Sequence, residues 1–205
     1  MKPYSTVFKG LFNELLDEVL DFHKRNLKEF VATVEPNLWR SVLNVVDGFL
    51  QEYVLQEGQV IENERLEALK QNLEPIFMFA IVWGIGGAVD VPSKAKMDVW
   101  MRGKKNFPAK MTVFDYFYDV NQCKWRGWMD TIEQKPVDPR KPFSDLIIPT
   151  PETVGYSFVI EHICTQMKHV LCIGPTGTGK TITVKQKLMT GMDPAGTPSQ
   201  KSTRY

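Results

Sequence analysis

The stretch of sequence that decides the fold is Gly174-Pro175-Thr176-Gly177-Thr178-Gly179-Lys180-Thr181. It fits the phosphate-binding pattern G-x-x-x-x-G-K-[ST], known as the P-loop. Glycines let backbone N–H groups form a concave nest around phosphate oxygens, and a helix that starts at about Gly179 adds the positive end of its dipole. In this pattern Lys180 reaches the β- and γ-phosphates, and the Thr181 hydroxyl coordinates Mg²⁺. The sequence therefore predicts that residues 174–181 bind a nucleoside triphosphate together with Mg²⁺.

The segments on either side of the P-loop support this prediction. The apolar run His169-Val170-Leu171-Cys172-Ile173 is typical of a buried strand in a parallel sheet. Residues Thr181 to Met189 follow the helical pattern. Strand, loop and helix occur in the order that a phosphate-binding unit needs, which favours a P-loop over a chance match in a turn rich in glycine and threonine.

The first hundred residues carry apolar side chains at helical spacing. The helical segments run from Val7 to Val31, with a cap at Ser5 or Thr6, then from Pro36, from Glu62 to Leu73, from Pro75 to about Gly86, and from Ser93. The apolar face of the second segment comprises Leu38, Trp39, Val42, Val45, Val46, Phe49, Leu50 and Tyr53, and the last segment turns Met97, Trp100 and Met101 inward. Pro75 lacks a backbone N–H group, so we expect it to start or kink the fourth helix. That helix is apolar on all sides and is predicted to lie centrally in an antiparallel bundle.

Residues 104–145 are rich in aromatic residues and proline. An aromatic run from Met111 to Tyr118 is followed by Trp125 and Trp128. Prolines at 136, 139, 142 and 149 exclude a long helix between Lys135 and Thr150, so residues 104–145 are predicted to be an extended connector. The two tryptophans either form a binding platform or pack against a neighbouring domain, and large aromatic side chains on an extended segment favour packing.

The remaining residues complete a division into four parts. Leu146-Ile147-Ile148 predicts a short strand, and Thr150 to Met167 predicts a helix capped by Thr150 or Thr153. The last fifteen residues contain almost no apolar anchors and are expected to be disordered. The predicted parts are a helical bundle at 1–103, the connector at 104–145, the start of an α/β P-loop unit at 146–190, and a tail at 191–205.

Composition excludes several classes of protein. The chain has 25 Lys and Arg against 24 Asp and Glu, and its net charge of +1 gives no signal for a nucleic acid or an anionic membrane. The longest uncharged apolar stretch, Pro75 to Val89, is shorter than a bilayer requires and favours a buried helix over a membrane segment. Three cysteines without C-x-x-C spacing and three scattered histidines indicate a reduced intracellular protein without a metal set.

Several stretches together resemble the motor region of dynein heavy chains of the axonemal type. They are LFNELLDEVLDFHKRNLKEF from Leu11, FMFAIVWGIGGAVD from Phe77, WRGWMDT from Trp125, FSDLIIPTPETVGYSFVI from Phe143 and VLCIGPTGTGKTITV from Val170. The resemblance spans about Thr6 to Met189. It implies an α/β P-loop NTPase (AAA+) fragment preceded by an α-helical lid bundle, mainly α overall. The bundle is similar to the lid of the second AAA+ module, and the P-loop unit to the start of the third.

The resemblance also implies a function and partners. It implies a piece of a six-module ring that moves toward microtubule minus ends in the axoneme of a cilium or flagellum. ATP or ADP would bind at Gly174 to Thr181, with Ile147, Ile148 and Pro149 near the adenine. The implied partners are the other AAA+ modules and, through a full heavy chain, dynein intermediate and light chains and microtubules. Neither a nucleic acid nor a membrane is expected as a partner.

The sequence departs from the family pattern after the P-loop. No apolar strand ending in paired carboxylates follows Thr181, and such carboxylates hold Mg²⁺ and orient the attacking water. No sensor asparagine or arginine finger is identifiable, so efficient hydrolysis by this chain alone is not expected. An alternative is a non-catalytic interaction fragment with an idle P-loop. A free-standing P-loop kinase or GTPase is disfavoured, because only 24 residues follow Thr181.

Overall fold

The computed structural model describes residues 5–51, 63–104, 107–132 and 148–190. Over these ranges the chain is mainly helical, with one small antiparallel sheet. The helices are α1 (Ser5–Asn26), α2 (Glu35–Leu50), α3 (Asn63–Gly84), α4 (Val91–Lys104), α5 (Pro151–Cys164) and α6 (Lys180–Thr190). The strands are β1 (Tyr116–Asp119) and β2 (Lys124–Gly127), and short 3₁₀ turns span Gly86–Ala88, Val113–Asp115 and Trp128–Thr131. The predicted disordered tail lies outside the described residues.

Helices α1 and α2 confirm the sequence pattern with small changes in their bounds. Helix α1 ends at Asn26 rather than Val31, and its last turn carries basic residues that suit the negative end of the helix dipole. Helix α2 has Pro36 in its first turn, where a missing N–H group costs nothing. All the predicted inward residues of α2 that the structure describes are buried, namely Leu38, Trp39, Val42, Val45, Val46, Phe49 and Leu50.

Pro75 was expected to start or kink the fourth helix, and the structure shows that no helix starts at this residue. A single helix runs from Asn63 to Gly84 with Pro75 inside it. The residues on both sides of the proline, including Leu73 and Ile76, are fully buried in the same core. Shared burial favours one continuous helix despite the hydrogen bond that proline removes. The prediction of a central position is confirmed, since every residue from Ile76 to Val82 is at most 2% exposed.

The loop after α1 is fixed to the region before α4. Glu29 forms an isolated antiparallel bridge with Val89, and the Lys28 amide donates to Ser93 Oγ at 2.8 Å. His23 Nε2 at the end of α1 lies 3.3 Å from Glu29 Oε1. These contacts hold the following residue, Phe30, in a defined position although its side chain is 41% exposed.

A β-hairpin replaces part of the predicted extended connector. Strand β1 pairs with β2 in antiparallel register, with Tyr118 opposite Trp125. The Asp119 carboxylate accepts from the amides of Asn121 and Gln122, which closes the turn. Trp128 follows the hairpin, is 2% exposed, and donates its indole N–H to the Phe114 carbonyl at 2.8 Å. Of the two interpretations of the tryptophans, packing is the one that describes Trp128.

Helix α5 packs into the core of the bundle. Thr150 caps it through a reciprocal pair of hydrogen bonds with Thr153, as the sequence predicts. Phe158 lies 5.2 Å from Trp128 and 6.0 Å from Phe79, measured between ring centroids. At Gly155 an added Cβ would lie 2.7 Å from the Trp83 ring, so only glycine permits this approach. The helix that precedes the P-loop therefore belongs to the same core as α2 and α3.

The predicted strand before the P-loop is not formed among the described residues. Residues 168–175 have no regular secondary structure, and Leu171 is 79% exposed. An apolar run becomes a parallel strand only when neighbouring strands supply hydrogen bonds and cover, and no described segment pairs with this one. Ile148 also lies outside any strand and is 66% exposed, whereas the other two residues of the predicted strand at 146–148 are outside the described ranges. Among the described helices, none is long and apolar enough to cross a membrane.

Candidate nucleotide-binding site

The P-loop backbone has a shape that depends on glycine. Gly177 has φ 83° and Gly179 has φ 75°, both in the left-handed region that other residues rarely adopt. Gly174 also has a positive φ, at 149°. No atom lies within 4 Å of a Cβ built on Gly177 or Gly179, so conformation rather than space requires glycine there. The loop leads directly into α6, which begins at Lys180 as the sequence predicts.

Lys180 folds back over its own loop. Its ammonium group donates to the Gly174 carbonyl at 3.1 Å, the Pro175 carbonyl at 2.5 Å and Thr178 Oγ1 at 3.2 Å. Thr178 Oγ1 in turn donates to the Pro175 carbonyl at 2.9 Å. These bonds hold the loop closed around the lysine and place a positive charge at the N-terminus of α6, where the helix dipole is also positive. Both features suit a phosphate group.

The remaining predicted P-loop residues lie at the surface. Thr176 and Thr178 are exposed in the loop, and Thr181 is exposed at the second position of α6. An exposed hydroxyl at this position is accessible to a cation bound beside a phosphate group. Among the described residues, no cluster of His, Cys, Asp or Glu is placed to hold a metal ion by itself.

An open cleft of about 350 Å³ lies beside the P-loop. It is lined by Phe30, Val31, Cys172, Ile173, Gly174 and Lys180. The first two come from the loop after α1, and nothing in the sequence pattern indicated that they approach the P-loop. Of the predicted adenine contacts, Ile148 and Pro149 precede the cap of α5 and do not line this cleft, and Ile147 lies outside the described residues.

Helix α5 connects the P-loop helix to the bundle through two adjacent residues. Glu161 Oε2 lies 2.6 Å from Nζ of Lys187 on α6. His162 Nε2 lies 2.8 Å from the Val45 carbonyl on α2, so this nitrogen carries the proton that it donates. The His162 ring also stacks on Phe158 at 5.4 Å. Burial lowers the pKa of His162, although the Val45 carbonyl and Glu161 act in the opposite direction. The imidazole is therefore a neutral structural contact.

The chain has three cysteines, and one of them, Cys172, lines the cleft. Cys123, Cys164 and Cys172 are all free thiols. Burial raises the pKa of the Cys164 thiol, and the nearby Cys172 acts in the same direction. A thiolate, which is the reactive form, is disfavoured at Cys164. Cys164 is therefore poorly suited to act as a nucleophile.

Comparison with known families agrees with this geometry. Residues 8–130 match the dynein heavy chain AAA lid domain. Residues 135–201 match the P-loop containing dynein motor region. The two matches divide the chain between the bundle and the P-loop segment, with α5 on the P-loop side of the division although it packs in the bundle.

Curated relatives cover most of this chain. The mouse protein "Dynein axonemal heavy chain 1" is 33% identical over 92% of the chain, and its human counterpart is 32% identical over the same share. "Dynein axonemal heavy chain 12" of rat is 27% identical over 93% of the chain. The chain spans only 5% of the length of the mouse and human relatives and 7% of the rat relative.

The helical bundle and the P-loop that follows it define a segment of AAA+ type, with a lid and the beginning of a nucleotide-binding unit. The chain belongs to the dynein heavy chain family and corresponds to part of the motor region of the axonemal heavy chains. The resemblance to the motor region of axonemal dynein heavy chains is confirmed.

Proposed function

We propose that residues 174–181 bind ATP or ADP with Mg²⁺ as part of a dynein motor. The observation that carries this proposal is the P-loop itself. Its glycines hold positive φ angles, and Lys180 stands at the start of α6 within reach of the loop. These residues fit a polyphosphate, since backbone N–H groups, a helix N-terminus and an ammonium group would all face its oxygens. Thr181 is exposed at the position from which its hydroxyl would hold the magnesium ion.

Within the motor, this chain is proposed to supply the lid of the second AAA+ module and the opening of the third. Nucleotide at this site would serve a minus-end-directed motor in the axoneme, with the other modules, dynein intermediate and light chains, and microtubules as partners of the whole heavy chain. The base contacts of Ile147, Ile148 and Pro149 remain part of this proposal. Support comes from the two family matches in their order along the chain.

Nucleotide binding without efficient turnover is proposed for this chain alone. Asp193 is the only acidic side chain in the sequence after Thr181. Hydrolysis in P-loop enzymes depends on a carboxylate for Mg²⁺ and on a group that orients the attacking water. A single aspartate without an apolar strand that ends in paired carboxylates does not supply both groups in this sequence.

Isothermal titration calorimetry with Mg-ATP tests the binding. We expect a Kd in the micromolar range or tighter, corresponding to about 8 kcal/mol or more. Lys180→Ala should abolish binding, whereas Lys185→Ala, an exposed lysine on the same helix, should leave it unchanged. Steady-state ATPase activity should be close to background. A clear turnover that Lys180→Ala removes would contradict the proposal of binding without hydrolysis.

A second candidate function is a non-catalytic interaction fragment with an idle P-loop. The apolar side chains of Leu171, Ile182 and Leu188 are 79%, 55% and 62% exposed, and such side chains are candidates for contact with another protein. The same calorimetric experiment separates the two functions. An absence of heat at millimolar Mg-ATP would favour the interaction fragment and overturn nucleotide binding.

A further inference from the structure

The P-loop helix turns one defined face toward the interior. Helix α6 packs against α5. Its half-buried positions include Lys180, Thr183, Val184 and Lys187, and its exposed positions are Thr181, Ile182, Lys185 and Leu188. Spacings of three, four and seven residues place the half-buried side chains on one face of a helix. The lysine of the P-loop and Lys187 therefore share a face.

Lys187 is held by an ion pair that is largely shielded from water. Its Nζ lies 2.6 Å from Glu161 Oε2, and the two side chains are 11% and 25% exposed. The other ion pairs around the bundle are mostly more exposed; the Lys168–Asp47 pair, for example, is 31% and 60% exposed. Salt screens a shielded ion pair less than an exposed one. Removing one partner of a shielded pair also costs more stability, because the other charge is left unpaired. The pair is thus a direct and partly shielded link between α6 and α5.

The α5 end of this contact is itself fixed. Glu161 is followed by His162, whose ring is 6% exposed, stacks on Phe158 and donates to the Val45 carbonyl. A Cβ built on Gly48 would lie 2.3 Å from His162 Nε2, so α2 and α5 approach closely at this point. Glu161 therefore lies on a helix that the lid core holds in place, so its carboxylate offers a fixed partner for Lys187 on α6.

We propose that Glu161 and Lys187 are positioning residues for the P-loop: their ion pair sets the rotation of α6 about its axis and so aims Lys180 at the phosphates. Lys180 and Lys187 are seven residues apart, which is two helical turns less about 20°, so they lie on nearly the same side of α6. A rotation of α6 about its axis that moves Lys187 therefore moves Lys180 by the same angle. The inference rests on the proposed nucleotide binding and adds two residues that do not touch the nucleotide.

Charge reversal tests the pair. Lys187→Glu and Glu161→Lys should each weaken Mg-ATP binding by about tenfold, a typical size for breaking one coupled contact. The double variant, in which the charges are exchanged, should recover most of the affinity because the pair is restored with opposite polarity. Binding by both single variants at the affinity of the unmodified chain would overturn the proposal, and so would a double variant as weak as the single variants.

Lys185→Glu is the matched control for charge alone. Lys185 lies on the same helix, nearer to Lys180 in sequence, and is exposed. The substitution makes the same change in net charge as Lys187→Glu without touching the pair. We expect its effect on Mg-ATP affinity to be less than about threefold, since exposed charges are screened. An equal loss in Lys185→Glu and Lys187→Glu would assign the effect to long-range charge and overturn the proposal.

Amide hydrogen exchange keeps this test separate from that of nucleotide binding. Without nucleotide, the amides of residues 183–187 should exchange faster in Lys187→Glu than in the unmodified chain, and the double variant should restore protection. If the unmodified chain fails to bind Mg-ATP but shows this pattern, the proposed function fails while the anchoring of α6 stands. If exchange is unchanged in all variants, the positioning role fails even where nucleotide binds.

Discussion

The lid and the P-loop segment differ in how far they bury similar apolar side chains. In α3, Phe77 and Ile81 are fully buried among the other lid helices. Around the P-loop, Leu171 and Leu188 are 79% and 62% exposed. Composition alone does not distinguish the two regions, because both contain apolar runs. They differ in whether neighbouring elements pack against those runs. We therefore expect substitutions in the lid to cost more stability than substitutions around the P-loop, which is the usual difference between a packed scaffold and a functional loop.

The largest expected effect is in the lid core. Phe79 is 1% exposed and contacts Phe49, Phe158 and Trp128. Phe79→Ala should lower the free energy of unfolding by about 3–5 kcal/mol, since it removes buried area and leaves a cavity. Leu171→Ala should change it by less than about 0.5 kcal/mol, because that side chain is already in water. Urea denaturation measures both, and similar losses in the two variants would contradict the contrast.

A glycine substitution gives the second largest effect. In Gly155→Ala the new Cβ would lie 2.7 Å from the Trp83 ring and 3.0 Å from Trp128 Nε1. Overpacking of this kind costs about 1–3 kcal/mol. The control is Gly10→Ala in α1, where no atom lies within 4 Å and alanine should stabilise the helix by up to about 1 kcal/mol. Opposite shifts in thermal midpoint are expected, and a stabilised Gly155→Ala would show that α5 does not pack closely against the tryptophans.

The cap of α5 comes next in size. Thr150 Oγ1 accepts from the Thr153 amide at 3.2 Å, and the Thr150 amide donates to Thr153 Oγ1 at 2.9 Å. Thr150→Ala should destabilise the chain by about 1 kcal/mol through loss of the cap. Thr150→Ser keeps the hydroxyl and should stay close to the unmodified chain. Equal losses in the two variants would mean that the methyl group, not the cap, matters.

The smallest effect depends on pH. Burial lowers the pKa of His162 from its ordinary value of 6.5 in the native state, so the unfolded chain binds the proton more readily. The contribution of neutral His162 to stability is therefore complete above 6.5 and declines as the pH falls below that value. In His162→Gln the side chain keeps an N–H group for the Val45 carbonyl but does not titrate.

Urea denaturation at about pH 7.5 and about pH 5.5 measures this effect, in the range where histidine changes its charge. The unmodified chain should lose more stability than His162→Gln between the two conditions. The same loss in both would show that other groups account for the acid sensitivity.

Much of the lid was predictable because helical periodicity reports directly on burial. The inward face of α2 and the central position of residues 76–82 were both expected and both confirmed. Pro75 was expected to start or kink a helix, and the start is wrong, because the local rule on proline competes with the gain from burying one continuous helix. The hairpin at 116–127 was missed, although Asp119 and Asn121 are turn-forming residues between two runs that contain aromatic side chains.

The P-loop was predictable as a motif and less so as a structure. Its glycine conformations and the start of α6 follow from local chemistry that the pattern contains. The strand predicted at 169–173 depends on distant partners, and the described residues include none that pair with it. The Glu161–Lys187 pair joins two helices and has no signal in sequence spacing alone, although the stripe at 180, 183, 184 and 187 indicates which face of α6 turns inward.

The position of α5 has a practical consequence for dividing the protein. A lid expressed on its own and ended at residue 132 would lose Phe158 and Gly155, and would expose to water the faces of Trp83 and Trp128 that they cover. Such a surface promotes self-association. A lid extended through residue 166 would keep Phe158 and Gly155 and so would keep these tryptophan faces covered. By its packing α5 belongs with the lid helices although it falls in the second family match, so a boundary placed between residues 130 and 135 would separate α5 from the tryptophans that it covers.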